Sequence, residues 1–189
     1  MEKRIREIFQ ESIKTKETTL DKNIKQISQA AQTILDALQG GHKIFFFGNG
    51  GSAADSQHIA AEFIGRFQKE RKSLPAIALT TDSSILTALG NDYGFEVVFA
   101  RQLEGLGQKN DVAVAISTSG NSKNIIEGLK QAKKMGIKTI SFIGRDGGEQ
   151  KNHSDISVIV PSNSTARIQE SQICVAHTIC DIVENTLFQ

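Results

Sequence analysis

Residues 44–62 read Ile44-Phe45-Phe46-Phe47-Gly48-Asn49-Gly50-Gly51-Ser52-Ala53-Ala54-Asp55-Ser56-Gln57-His58-Ile59-Ala60-Ala61-Glu62. The apolar run between Lys43 and Gly48 has the length and character of a buried strand. The glycines permit a tight turn and a close approach of backbone to a ligand, because they carry no Cβ. Ser52 is placed to cap the helix expected to begin there, and Ala53 and Ala54 favour its first turn. The stretch is therefore strand, glycine loop and helix, with backbone N–H groups free at the helix start. Such an end attracts anions, phosphate above all. Two turns on, His58 and Glu62 are four residues apart and share one helix face. A phosphate cradle and a His/Glu pair on one element suggest a sugar-phosphate enzyme.

The pattern repeats outward from this unit. Short apolar runs at Ala76–Leu79, 112–116, 139–143 and 156–160 are expected strands. Helical stretches at 85–89, 97–106, 125–135 and 165–188 separate or follow them. Apolar runs without strict alternation, interleaved with helices, indicate a parallel sheet covered on both faces. The expected architecture is α/β, a three-layer αβα sandwich of doubly wound type on a five-stranded parallel sheet. Residues 1–39 form a leading helical arm. There Leu20, Ile24, Ile27, Ala31, Ile34, Leu35 and Leu38 make one apolar stripe, and Gly40-Gly41 ends it. Ile5, Ile8, Phe9 and Ile13 belong to an earlier helix, with a bend expected at the polar run 14–19. These helices are expected both to cover the sheet and to pack against copies of themselves. Gly90-Asn91-Asp92-Tyr93-Gly94 is a turn by composition. Phe63, Ile64 and Phe67 extend the apolar face of the 51–64 region, and Gln68-Lys69-Glu70-Arg71-Lys72 is expected to be a solvated end.

The 189 residues, 39% hydrophobic, suit a single domain spanning 1–189 with a sizeable core. A net charge of +1 gives no global reason to expect nucleic acid or an anionic membrane as partner. No apolar run has the length of a membrane span, and Met1 to Glu7 lacks the apolar core of a signal peptide. Cys174 and Cys180, six apart, match no zinc or redox motif and are expected to be buried, reduced thiols. These features point to the cytoplasm.

A second loop leaves the 112–116 strand in the same style as the first. Ser117-Thr118-Ser119-Gly120-Asn121-Ser122 places four hydroxyls around one glycine and runs into a helix. Hydroxyls and helix-start N–H groups satisfy phosphate oxygens without lysine or arginine. Either loop alone is equally well explained as ordinary turn chemistry; two on one sheet favour phosphate. Neither matches a nucleotide signature. His58 and Glu62 alone are compatible with a plain polar helix face. The last helix alters that balance, because its face carries Arg167, Gln169, Glu170 and His177 among apolar residues. Gln169 and His177, eight apart, lie about 12 Å from each other along the axis. They converge on one ion only from either side of it, or through different subunits.

Gly48-Asn49-Gly50-Gly51-Ser52, His58 with Glu62, Ser117 to Ser122, and Ala166-Arg167-Ile168-Gln169-Glu170 with His177 together resemble the bacterial phosphoheptose isomerases. These are sedoheptulose 7-phosphate isomerases of the sugar isomerase (SIS) domain group. The resemblance covers nearly the whole chain. It implies a homotetramer with active sites between subunits, and one zinc per subunit held by His58, Glu62, Gln169 and His177. It also implies sugar-phosphate contacts from Asn49, Gly50, Gly51, Ser52, Asn91, Asp92, Ser117, Thr118, Ser119 and Ser122, joined by Glu62 and Gln169. Gln172 departs from the pattern, since several isomerases carry histidine there; that bears on fine specificity more than on the reaction.

The reaction so implied turns sedoheptulose 7-phosphate into D-glycero-D-manno-heptose 7-phosphate, for lipopolysaccharide core or related glycans. It moves a proton between adjacent carbons through an enediol, which requires a base, an acid and stabilisation of negative charge. Glu62 is the candidate base and His177 the partner acid/base, while zinc would polarise the carbonyl or hold the enediolate. A carboxylate on zinc is a weaker base, so both roles stay open for Glu62. The runner-up is a non-catalytic SIS relative, the initiator-associating protein of bacterial replication. It shares Ala166 to Glu170 and Asp181 to Phe188 but lacks the residues at 62 and 177. A sugar-phosphate-sensing regulator would need an attached DNA-binding domain, for which no room is expected.

Overall fold

The computed structural model describes residues 1–188. Helix α1 (Glu2–Gln39) leads into β1 (Ile44–Gly48), α2 (Gly51–Ile64) and β2 (Ala76–Ala78). Helix α3 (Ser83–Asp92) and, after a 3-10 turn at Phe95–Val97, α4 (Val98–Leu106) lead to β3 (Val112–Ser117). Then follow α5 (Lys123–Lys134), β4 (Lys138–Gly144), β5 (Ile156–Val160) and α6 (Thr165–Leu187). All strand pairs are parallel, in the order β2-β1-β3-β4-β5.

Side chains of a strand alternate between faces, and β1 feeds both halves of the core. Ile44 and Phe46 pack in the layer built with α1, α2 and α6, beside Ile34, Phe63, Val175 and Ile179. Phe45 and Phe47 enter the opposite layer, beside Phe99, Ile125 and Leu129 of α4 and α5. Phe47 is fully buried, and covering a side chain of that size contributes about 1.5–3 kcal/mol. Both faces of β1 and β3 are closed, which is why their sequences are apolar up to Gly48 and Ser117 at their carboxyl ends.

Several boundaries differ from expectation. The arm is one unbroken helix of 38 residues, not two with a bend. The hydroxyls of Thr15, Thr18 and Thr19 donate to the carbonyls of Glu11, Lys14 and Thr15, so the polar run is absorbed into the helix. Helix α3 continues through Gly90, Asn91 and Asp92 rather than turning there, with Asp82 accepting from Ile85 N as its cap. Helix α2 begins at Gly51 with Gly50 as N-cap, so Ser52 lies inside its first turn and caps nothing. Ile64 is exposed and Phe67 follows the helix end. Cys174 is exposed while Cys180 is buried, and burial pushes the Cys180 thiol up to about 12.

Candidate active site

From β1 the chain winds out to β2; from β3 it winds the other way, to β4 and β5. The crevice beyond the carboxyl ends of β1 and β3 is therefore the switch point of the sheet, where doubly wound folds take their ligands. Both candidate loops emerge there. Asn49, Ser52, Ser117, Thr118, Ser119 and Ser122 line a cavity of about 60 Å³, closed by Ile116 and Ile125. That is about the room of two water molecules.

Neither α2 nor α5 has a side-chain cap. Ser52 N, Ala53 N and Ile125 N donate to the carbonyls of Asn49, Gly50 and Ser122, so among the described residues the N–H groups of Gly51, Lys123 and Asn124 are the ones left for a ligand at this crevice. Gly120 N donates to Ser117 Oγ at 3.1 Å and Asn121 N to Ser119 Oγ at 3.2 Å. Both oxygens thus accept from backbone, and both hydroxyls keep a hydrogen to donate. Asn49 and Asn124 exchange amide hydrogen bonds at 2.9 Å, tying the glycine loop to the start of α5. Gly50 has φ 56°, a conformation that glycine adopts without strain. A Cβ on Gly51 would collide with the amide nitrogen of Gln169. Gln169 of α6 therefore closes over the glycine loop.

Further along α2, His58 Nε2 lies 3.0 Å from Glu62 Oε1. The ring of His177 on α6 packs edge-on to that of His58, with centroids 5.1 Å apart. One ligand atom from each of His58, Glu62 and His177 lies within 4.8 Å of the other two. Nε2 of His177 is buried with no hydrogen-bond partner, and such an atom calls for a proton donor or a metal. Two imidazoles and one carboxylate form a donor set suited to zinc with an open fourth position. The three residues fit a metal. Asp55, one turn before His58, stands close to both histidines; burial lifts its carboxyl above the ordinary value, against their opposing pull.

The sequence profile of the SIS domain family matches residues 7–144. The chain is similar to the phosphoheptose isomerase of Aquifex aeolicus, 54% identical over 97% of this chain and 96% of the relative. The chain belongs to the phosphoheptose isomerases of the SIS domain family. The phosphoheptose isomerase of Sulfurimonas denitrificans is 50% identical over 100% of this chain and 97% of its own. Among solved structures, the phosphoheptose isomerase of Neisseria gonorrhoeae superposes with a TM-score of 0.92 at 44% identity, covering 97% of this chain and 98% of that one. The chain is thus an enzyme, an isomerase acting on a sugar phosphate.

In this SIS domain isomerase the remaining motif residues divide by task. Arg167 donates to Ile8 O at 3.1 Å and to Glu170 Oε1 at 2.5 Å, and Ser12 Oγ donates to Glu170 at 2.7 Å. Arg167 and Glu170 thereby fasten α6 to α1. Gln172 is buried and donates to Ser117 O at 3.1 Å and Phe142 O at 3.0 Å, pinning the head of the serine loop. Asn91 and Asp92 are exposed at the end of α3, Asn91 Nδ2 donating to Asp92 Oδ1 at 2.8 Å. Among the described residues no hydrogen bond links them to either loop. Gln169 lies by Gly51, and seven residues, about 10 Å of helix, separate Gly51 from His58. One chain gathers His58, Glu62 and His177 into a cluster that Gln169 does not join. Asp55 escaped the sequence reading, although its spacing from Gly51 and His58 places it on the face that meets α6.

The charged exit after α2 is solvated only in part: Gln68, Glu70 and Lys72 are exposed, but Arg71 turns inward. The side chains of Arg71 and Glu184 are each 2% exposed and paired at 2.9 Å. Burial raises the cost of charge on Glu184, yet N–H groups of Lys69, Phe67 and Gln68 and the Arg71 guanidinium hold its carboxyl down at about 2.

Proposed function

We propose that the chain converts sedoheptulose 7-phosphate into D-glycero-D-manno-heptose 7-phosphate, supplying heptose for lipopolysaccharide core or related glycans in the cytoplasm. The observation that carries this reading is the placement of the His58–Glu62–His177 cluster beside a two-loop anion cradle, along facing helices. The cradle holds the phosphate through the N–H groups of Gly51, Lys123 and Asn124 and the hydroxyls of Ser119 and Ser122. The sugar chain then runs along α2 past Gln169 and Asp55 toward Glu62. Glu62 takes the proton from the carbon beside the carbonyl, and the enediol so formed is reprotonated on the neighbouring carbon. His177 moves the accompanying proton between the two oxygens. Such acid–base work contributes about 10²–10⁴-fold.

His58, Glu62 and His177 of one chain, with Gln169 supplied by a neighbouring chain, would hold zinc, which when bound supplies Lewis-acid stabilisation of negative charge on the sugar oxygens. Four such chains would assemble with sites between subunits, the α1 arm contributing to the assembly. Nothing in the site favours the initiator-binding alternative, because Glu62 and His177 are both present and brought together. The test is to incubate the purified enzyme with sedoheptulose 7-phosphate and follow aldoheptose phosphate. Glu62→Gln keeps the volume and hydrogen bonding of the side chain, and turnover should fall about 10²–10⁴-fold while the fold survives. Unchanged turnover would remove Glu62 from the role of base.

A further inference from the structure

Glu184 of α6 accepts hydrogen bonds from three successive backbone N–H groups, those of Phe67 (3.0 Å), Gln68 (2.7 Å) and Lys69 (2.8 Å), and from Arg71 Nε at 2.9 Å. Arg71 in turn donates to the carbonyl oxygens of Glu62 (2.7 Å), Phe63 (2.7 Å) and Gly65 (3.1 Å). These are carbonyls that the C-terminal turn of α2 leaves without intrahelical partners. The segment so folded back places the ring of Phe67 against His177, centroids 5.5 Å apart. The same His177 ring meets His58. Glu184 lies two turns beyond His177 on α6, and Glu62 is itself one of the residues whose carbonyl Arg71 holds.

The geometry points to Arg71 and Glu184, acting through Phe67, as a positioning brace that sets the separation and orientation of Glu62 and His177. This inference rests on the reading of Glu62 and His177 as the reacting pair. Capping the carbonyls of α2 is stabilising in itself; what stability alone does not call for is the aromatic ring of Phe67 set against His177. Buried ion pairs are poor stabilisers beside apolar packing, because desolvation offsets their attraction. Apart from one bond from Arg71 to the neighbouring Lys72 carbonyl, the bonds of the pair tie the end of α2 and the segment after it to α6. The phosphate cradle lies at the opposite end of α2 and makes none of these contacts.

Steady-state kinetics on the holoenzyme separate the two roles. Phe67→Leu leaves the ion pair intact but removes the ring; kcat should fall about 10–100-fold, as small misplacements of reacting groups do. KM should stay within about two-fold, since uniform binding is untouched. Phe67→Tyr restores the ring and should restore kcat. Inorganic phosphate should raise the melting temperature of each variant and of the wild type to the same extent, showing the cradle intact. Glu184→Gln should lose kcat as Phe67→Leu does; if it fails to fold, the two Phe67 variants decide. Wild-type kcat in Phe67→Leu, or equal losses in kcat with Leu and Tyr, would overturn the brace. Glu62→Gln is assayed alongside: its inactivity with a fully active Phe67→Leu sinks the brace alone, and its full activity sinks the reacting pair and the brace together.

Discussion

Gly51 has no side chain, and that absence is what lets the amide of Gln169 lie on the glycine loop. Alanine at this first helical position is about 1 kcal/mol more favourable than glycine for the helix itself, and the colliding atom is the far end of a flexible side chain. Gly51→Ala should therefore fold normally and displace Gln169 rather than the backbone. Catalytic efficiency should fall about tenfold, the scale of one hydrogen bond to a reacting ligand, with an unchanged or higher melting temperature. A parallel loss of stability would show that the loop, not Gln169, had moved. Ser119 tests the other loop. Its oxygen accepts from Asn121 N at 3.2 Å, leaving its hydrogen for the phosphate. Ser119→Ala should raise KM more than it lowers kcat, by the roughly 1.5–3 kcal/mol of a hydrogen bond to a charged group. An unchanged KM in steady-state assays would take the phosphate out of this loop.

Between α2 and α6 the acid response of the protein should be concentrated in Glu184. Its carboxyl is lowered from 4.5 to about 2 in the folded chain. Between those values the unfolded chain binds the extra proton, so stability increases with pH across the window. The contribution is complete above about pH 4.5 and is lost as pH falls toward 2. Glu184→Gln should flatten this limb in urea unfolding measured against pH, and cost about 3–5 kcal/mol at neutral pH by leaving Arg71 unpaired. A limb identical to wild type would assign the acid sensitivity elsewhere. The same pair shows why part of the structure was not legible. Strands β1 and β3 declare themselves because both faces are buried, and His58 and Glu62 because helical spacing brings i and i+4 together. The charged run after α2 resembles any solvated end, since its partner lies 113 residues away. His177 meets His58 only because α2 and α6 lie side by side in the same sense, Gly51 against Gln169 and Phe67 against Glu184. No local pattern encodes that. The polar run in α1 misled for a different reason: threonine hydroxyls that disfavour a helix in isolation here return their bonds to carbonyls four residues back.

For the whole molecule, the decisive surface is the outer side of α1. Ile5, Phe9, Ile13, Leu20 and Ile24 are each 48–67% exposed, spaced by four or seven residues and so aligned along one side of the helix. Leu20 and Ile24 continue into an apolar groove of about 500 Å³ shared with Val175 and Ile182 of α6. So much contiguous apolar surface is unusual on a soluble monomer. The expected state is a tetramer at micromolar concentration, and Phe9→Glu combined with Ile24→Arg should break it, as sedimentation would show. The consequence reaches the active site. Three of the four proposed metal ligands cluster within one chain, while Gln169 sits by Gly51, about 12 Å along α6 from His177. On the proposed reading, a neighbouring chain's Gln169 would complete the zinc site. Split subunits should bind zinc more weakly in chelator competition and turn over more slowly, even though each retains its sheet and its cradle. Restoring zinc by raising its concentration should recover only part of the turnover if the neighbour also orients substrate. A dissociated variant that keeps both wild-type zinc affinity and wild-type turnover would place the complete site within a single chain.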